Sequence, residues 1–160
     1  ILEPSTGVGG HWIAVDPWFI VSRDPINSRL IRTAREVNND KVKWVINKIK
    51  LAAAKKNKKK DKRTKIVCLG LTYKSDIDDL RNSPALEVAE KLNKLKFDVV
   101  SVEPNISKHP FLRILDFNTA INDADIVAIL VKHKEFKSPR LQKKLYDLGA
   151  LDFCNSLINF

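Results

Sequence analysis

The chain has 160 residues, 44% of them hydrophobic and 30% charged, with a formal net charge of +10 at pH 7. That is enough for one sizeable core, or one domain with an appendage, and it excludes a disordered chain. No apolar run reaches the length of a membrane span and no charged-then-apolar leader is visible, so the expected setting is cytoplasmic.

The two cysteines, Cys68 and Cys154, sit far apart in apolar runs and read as buried thiols of a reducing compartment. The charge is concentrated rather than spread. Residues 55–65 carry eight basic side chains and one acidic, leaving an ordinary balance elsewhere. Such a run could grip nucleic acid, but it has no aromatic residue for base stacking and no apolar face for a membrane. It reads as a solvated linker over 55–64 rather than as a nucleic-acid-binding surface.

Residues 1–25 start Ile-Leu-Glu, in a chain without methionine, and read as a piece of a longer protein. Pro4–Phe19 places Gly7, Gly9 and Gly10 just before His11, Trp12, Asp16 and Pro17. Glycines at this density free the backbone for close approach of a ligand. The segment does not follow a strand, so it is not a Rossmann phosphate turn. Asp16-Pro17 is also a turn signal.

From Asp24-Pro25 a helical pattern runs over 26–54, with apolar Leu30, Ala34, Val37, Val45, Ile49 and Ala52 at threes and fours. Such a helix would span roughly 43 Å, too long for ordinary packing in a small domain. It reads as a spine that joins domains or dimerises, Ile31 and Trp44 widening its apolar surface. The alternative is that this face packs on the chain's own C-terminal domain.

Residues 65–160 alternate between strand and helix. Strands are expected at Lys65–Leu69, Asp98–Val102, Ile126–Val131 and Ala150–Phe153, with helices at Pro84–Lys94, Asn118–Asp123 and Pro139–Leu145. This pattern predicts an α/β, Rossmann-like parallel sheet with helices on both faces. The first strand leads into eleven loop residues, Thr72 to Asn82, holding Tyr73, Lys74, Asp76, Asp78, Asp79 and Arg81. Loops at the carboxyl ends of parallel strands are where such folds place ligands. Composition alone is equally met by a solvated loop whose charges pair with one another. Glu103-Pro104-Asn105 and Lys132-His133 fall on the same rim. His133 reads as a surface loop histidine without a catalytic role, and no spacing resembles a metal site.

Gly70, Tyr73, Lys74, Asp79, Arg81, Ser83 and Pro84 resemble the motif that opens the C-terminal domain of the UDP-glucose/GDP-mannose dehydrogenase family. Gly7, Gly9, Gly10, His11, Ile13, Asp16 and Pro17 resemble that family's catalytic loop, in the form found in its UDP-N-acetyl-D-mannosamine branch. The resemblance runs from Gly7 onward and covers the back part of such an enzyme. It implies an NAD-dependent 6-dehydrogenase that takes a UDP-sugar alcohol to a uronic acid for surface polysaccharide.

By the same resemblance, Gly9, Tyr73 and Lys74 would face the UDP-sugar, and Arg81 would reach NAD held mainly by a domain not in this chain. Asp16 would assist thioester hydrolysis, and the helix at 26–54 would form a homodimer. The position of the family's cysteine nucleophile is Trp12. An indole offers only an N–H donor and cannot form the thiohemiacetal, so the chain alone is expected to be inactive. No basic residue stands among Ser156–Phe160, where the family would touch the nucleotide. Two further readings remain open: a non-catalytic nucleotide-sugar-binding or dimerisation module, and, more weakly, a basic nucleic-acid-binding module.

Overall fold

The computed structural model describes residues 3–56 and 63–157. Most of the expected basic linker, and the chain end past Leu157, lie outside the described residues.

Five strands form one sheet: β1 (Lys65–Leu69), β2 (Asp98–Val102), β3 (Arg113–Ile114), β4 (Ile126–Ile129) and β5 (Leu151–Asp152). Their spatial order is β3-β2-β1-β4-β5, and every neighbouring pair is parallel. Parallel neighbours need long crossovers, and helices fill three of them: α3 (Pro84–Lys94), α4 (Phe117–Ile121) and α5 (Pro139–Asp147). Side chains alternate across the pleat. Ile66 and Cys68 of β1 join a cluster with α3 and the long helix α2 (Arg29–Lys56), whereas Val67 and Leu69 join one with α4 and α5. The sheet is thus covered on both faces, as its unbroken apolar strands require.

The long helix differs from expectation in two ways. It begins at Arg29 rather than Ile26 because Asp24 ties a turn ahead of it. The Asp24 carboxylate accepts the Asn27 backbone N–H at 3.1 Å and its side-chain amide at 2.9 Å. Its buried stripe is also shifted. Val42, Val45, Ile46, Ile49 and Ala53 enter the core, while Leu30, Ala34 and Val37 are exposed. The second half enters the core beneath the sheet and α3, while the first half lies against the glycine-rich segment, with Arg35 buried and Asn38 bonded to Val8.

Three elements were not foreseen, one of them a four-residue 3-10 helix at Lys134–Lys137. Asp16-Pro17 opens a short helix, α1 (Asp16–Arg23), instead of a turn; proline suits a first helical turn and the acid suits its positive end. The two-residue β3 is too short to leave a periodic signal. The third expected strand ends at Ile129, two residues early, because the N–H groups of Leu130 and Val131 both turn to Leu69 O, at 2.9 and 3.1 Å.

Candidate functional site

In the strand order β3-β2-β1-β4-β5 the direction of winding reverses between β1 and β4. The crevice outside their carboxyl ends is therefore the favoured ligand position. The loop after β1 is shaped at its first residue. Gly70 has φ +88°, and a Cβ there would come within 2.4 Å of Val131 Cβ, so only glycine lets the chain turn out against β4. The loop ends at Ser83, whose Oγ accepts Leu86 N–H as the cap of α3 and donates to Leu71 O at 2.6 Å.

The glycine-rich segment lies on this loop. Gly9 packs so closely that an added Cβ would sit 2.3 Å from Asn82 O and 2.6 Å from Pro84 Cδ. The Gly10 Cα lies against the Tyr73 ring, and the His11 ring meets Tyr73 edge-on at 6.4 Å between centroids. Asn38 of α2 holds the segment from behind. Its Oδ1 accepts Val8 N–H at 2.7 Å and its Nδ2 donates to Val8 O at 3.1 Å. Thr6 Oγ1 reaches Leu130 O at 3.3 Å, tying the same segment to the end of β4. Two stretches more than 60 residues apart in sequence thus share one surface.

The expected site residues occupy this surface unequally. Gly9, Gly10, His11 and Tyr73 are in mutual contact. Asp79 accepts the Nε–H and Nη2–H of Arg81 on its two oxygens, at 3.0 and 2.6 Å, and the Arg81 backbone N–H at 2.9 Å. These Arg81 bonds hold the Asp79 carboxyl well below the carboxylate range, at about 2. Lys74 is exposed, and among the described residues nothing hydrogen-bonds its ammonium. Trp12 is 65% exposed and Asp16 is exposed in the first turn of α1. Between α2, α3 and the glycine segment lies an open cleft of about 340 Å³, lined by Val8, Trp18, Asn38 and Pro84 among others. It lies behind the glycine segment, and Tyr73, Lys74 and Arg81 take no part in it.

The largest departure from the sequence reading is His133. It is not a surface histidine but fully buried, at 0% exposure. Its Nε2 lies 3.1 Å from Glu103 Oε2, and its Nδ1 accepts the Asp76 backbone N–H at 3.0 Å. A carboxylate can only accept and Nδ1 is already accepting, so the ring proton sits on Nε2. Glu103, also buried, takes Leu71 N–H at 2.7 Å and Thr72 N–H at 3.3 Å on that same oxygen. Asn105 N–H binds its other oxygen at 3.0 Å. Burial pushes the Glu103 carboxyl up, but the donors from His133, Asn105 and Leu71 outweigh it and hold the pKa below the ordinary value. Asp76, His133 and Glu135 bring possible ligand atoms within 4.8 Å of one another. The Nδ1 lone pair is already engaged by Asp76 N–H, however, so the trio is not open to a cation. The sequence did carry a signal for Glu103, an acid closing a parallel strand, but none for the burial of His133.

A profile of the UDP-glucose/GDP-mannose dehydrogenase family, UDP binding domain, matches residues 67–157, more than half of the chain. The chain belongs to this family. Among curated members, UDP-N-acetyl-D-mannosamine dehydrogenase of Campylobacter jejuni is 47% identical over 144 residues, 85% of this chain and 34% of the relative. NDP-N-acetyl-D-galactosaminuronic acid dehydrogenase of Ralstonia nicotianae is 44% identical over 153 residues, 91% of this chain and 35% of the relative. A solved UDP-N-acetyl-mannosamine dehydrogenase from S. aureus superposes with a TM-score of 0.80 at 36% identity, covering 100% of this chain and 37% of that one. The chain thus spans about a third of the length of the family members it matches. Its α/β fold is that of their corresponding region. Among the described residues no helix is long and apolar enough to cross a membrane.

Proposed function

We propose that the chain is the UDP-sugar-holding portion of an NAD-dependent UDP-N-acetyl-D-mannosamine 6-dehydrogenase, and that its covalent step is lost at Trp12. The observation that carries this is the packing of Gly9 and Gly10 against Tyr73 and Asn82. It places the two motif stretches on one surface, beside an exposed Lys74 with no hydrogen-bonded partner among the described residues. In this reading the Lys74 ammonium meets the pyrophosphate or the sugar oxygens. Arg81, exposed and fixed by Asp79, suits a contact with the NAD phosphates from its rim position. Hydride acceptance is the chemistry NAD would supply. Asp16 stands four residues past Trp12 for work on water.

Titration calorimetry with UDP tests the reading. Binding is expected in the native chain, with a loss of about tenfold or more in Lys74→Ala, the scale of a charge-assisted hydrogen bond. Equal affinity in the two proteins, or none in either, would sink it.

Trp12 itself favours a second reading, a nucleotide-sugar-binding or dimerisation module without catalysis. An exposed indole in place of the thiolate is compatible with holding a ligand but not with acyl transfer. The partner surface would be the line Leu30, Val37, Trp44 and Leu51, exposed along α2. Intervals of seven keep these side chains on one seam, as a helix paired with its copy requires.

A further inference from the structure

In dinucleotide-binding folds the backbone N–H groups just past the first strand receive a phosphate, and an acid at the end of the second strand meets a ribose. Here the two features are joined to each other. Glu103, one residue past β2, points its carboxylate at the N–H groups of Leu71 and Thr72, just past β1, at 2.7 and 3.3 Å. A carboxylate from the protein occupies the place of an anionic ligand, in a fully buried setting. His133, arriving from the end of β4, donates Nε2–H to that carboxylate. Its Nδ1 then takes Asp76 N–H at 3.0 Å, and Asp76 stands at φ +62°, a left-handed conformation with a cost for any residue but glycine. The Asp76 carboxylate in turn accepts Lys134 N–H at 2.9 Å. Thr72 completes the arrangement by donating Oγ1–H to Lys74 O at 2.8 Å.

From these contacts we infer that Glu103 and His133 are positioning residues: a buried carboxylate–imidazole pair that closes the inner phosphate turn and sets the loop presenting Tyr73 and Lys74. The inference rests on the proposed UDP-sugar reading for its ligand, but not for its geometry. Residues 71–76 have no strand or helix of their own, so these bonds, with the Tyr73 N–H on Asp79 O at 3.2 Å and Ser83 Oγ on Leu71 O, order them. The loop is bonded at Leu71, Thr72 and Asp76, on both sides of Lys74, so the ammonium is presented outward from a fixed backbone. The pair also carries a specificity consequence. With Leu71 and Thr72 N–H filled, a nucleotide must bind on the outer side of the loop rather than in the inner turn.

The test uses the whole chain with UDP as the probe, in His133→Phe, His133→Gln and Thr72→Val. Phenylalanine keeps a ring and removes the imidazole's polar contacts with Glu103, Asp76 N–H, Asn105 and Thr72; glutamine keeps a donor toward Glu103. Thr72→Val is close in shape and removes both Oγ1 contacts, the bond to Lys74 O and the 3.4 Å contact with His133 Nε2. Backbone amide exchange is read at Leu71, Thr72 and Asp76, with the β1 amides as the fold control. Expected are faster exchange of the loop amides in His133→Phe with β1 still protected, and partial recovery in His133→Gln. UDP affinity is expected to fall about tenfold in His133→Phe and in Thr72→Val.

Loop protection unchanged in His133→Phe would overturn the inference, as would faster exchange with UDP affinity unchanged in both single variants. If His133→Phe fails to fold, Thr72→Val decides: native UDP affinity in that variant overturns the positioning role. If the native chain itself binds no UDP, the proposed function fails, and the amide exchange still decides whether the pair orders the loop.

Discussion

At the scale of single residues, position 12 decides which chemistry is open. Both native thiols are shut away: burial pushes the Cys68 thiol up to about 12, and burial, aided by Asp152, raises Cys154 further. The native folded chain should therefore take up essentially no thiol reagent on mixing. Trp12→Cys, at an exposed site, should take up one equivalent, and the count of fast-reacting thiols checks this. Asp79 gives a second residue-scale expectation. Its folded pKa of about 2 is below the ordinary 3.8, so its pairing with Arg81 stabilises the folded loop above pH 3.8 and is lost as pH falls toward 2. The carboxyl-carbon NMR titration of Asp79 should have its midpoint near 2, and Arg81→Ala should move it upward. The sequence left open that the loop's charges pair with one another, and Asp79 and Arg81, two residues apart, do so. The sequence reading failed for His133, whose partners Thr72 and Asp76 follow β1 while Glu103 and Asn105 follow β2, the two loops being joined to it only by the folded sheet.

At the scale of elements, the apolar run of β1 and the proline-led start of α3 were legible because each is written in consecutive residues. The stripe of α2 was only half legible. Periodicity reports that a face is apolar, not what lies under it, and α2 carries apolar residues on two faces. Ile49, at 0% exposure, belongs to the inner face, and Leu30, at 82%, to the outer. The two faces make opposite predictions. Ile49→Ala should cost about 2–5 kcal/mol by chemical denaturation, the range for emptying a core site. Val37→Asp should leave that midpoint nearly unchanged and, if the outer seam pairs two copies, should turn a dimer into a monomer by light scattering. A native chain that is already monomeric would dismiss the seam.

For the whole molecule, the chain spans about a third of its relatives' length. The sequence Gly-x-Gly-x-x-Gly does not occur in its 160 residues. Mixed with UDP-N-acetyl-mannosamine and NAD, the isolated chain should release no NADH by absorbance, and Trp12→Cys should not restore it alone. Release from either protein would mean that these residues carry a complete active site. The sheet itself bears on how copies can associate. Its outermost strands, β3 and β5, hold two residues each, so both margins present almost no row of unpaired backbone groups. A neighbouring molecule has too little exposed edge to add a strand, which guards this parallel sheet against fibrous growth.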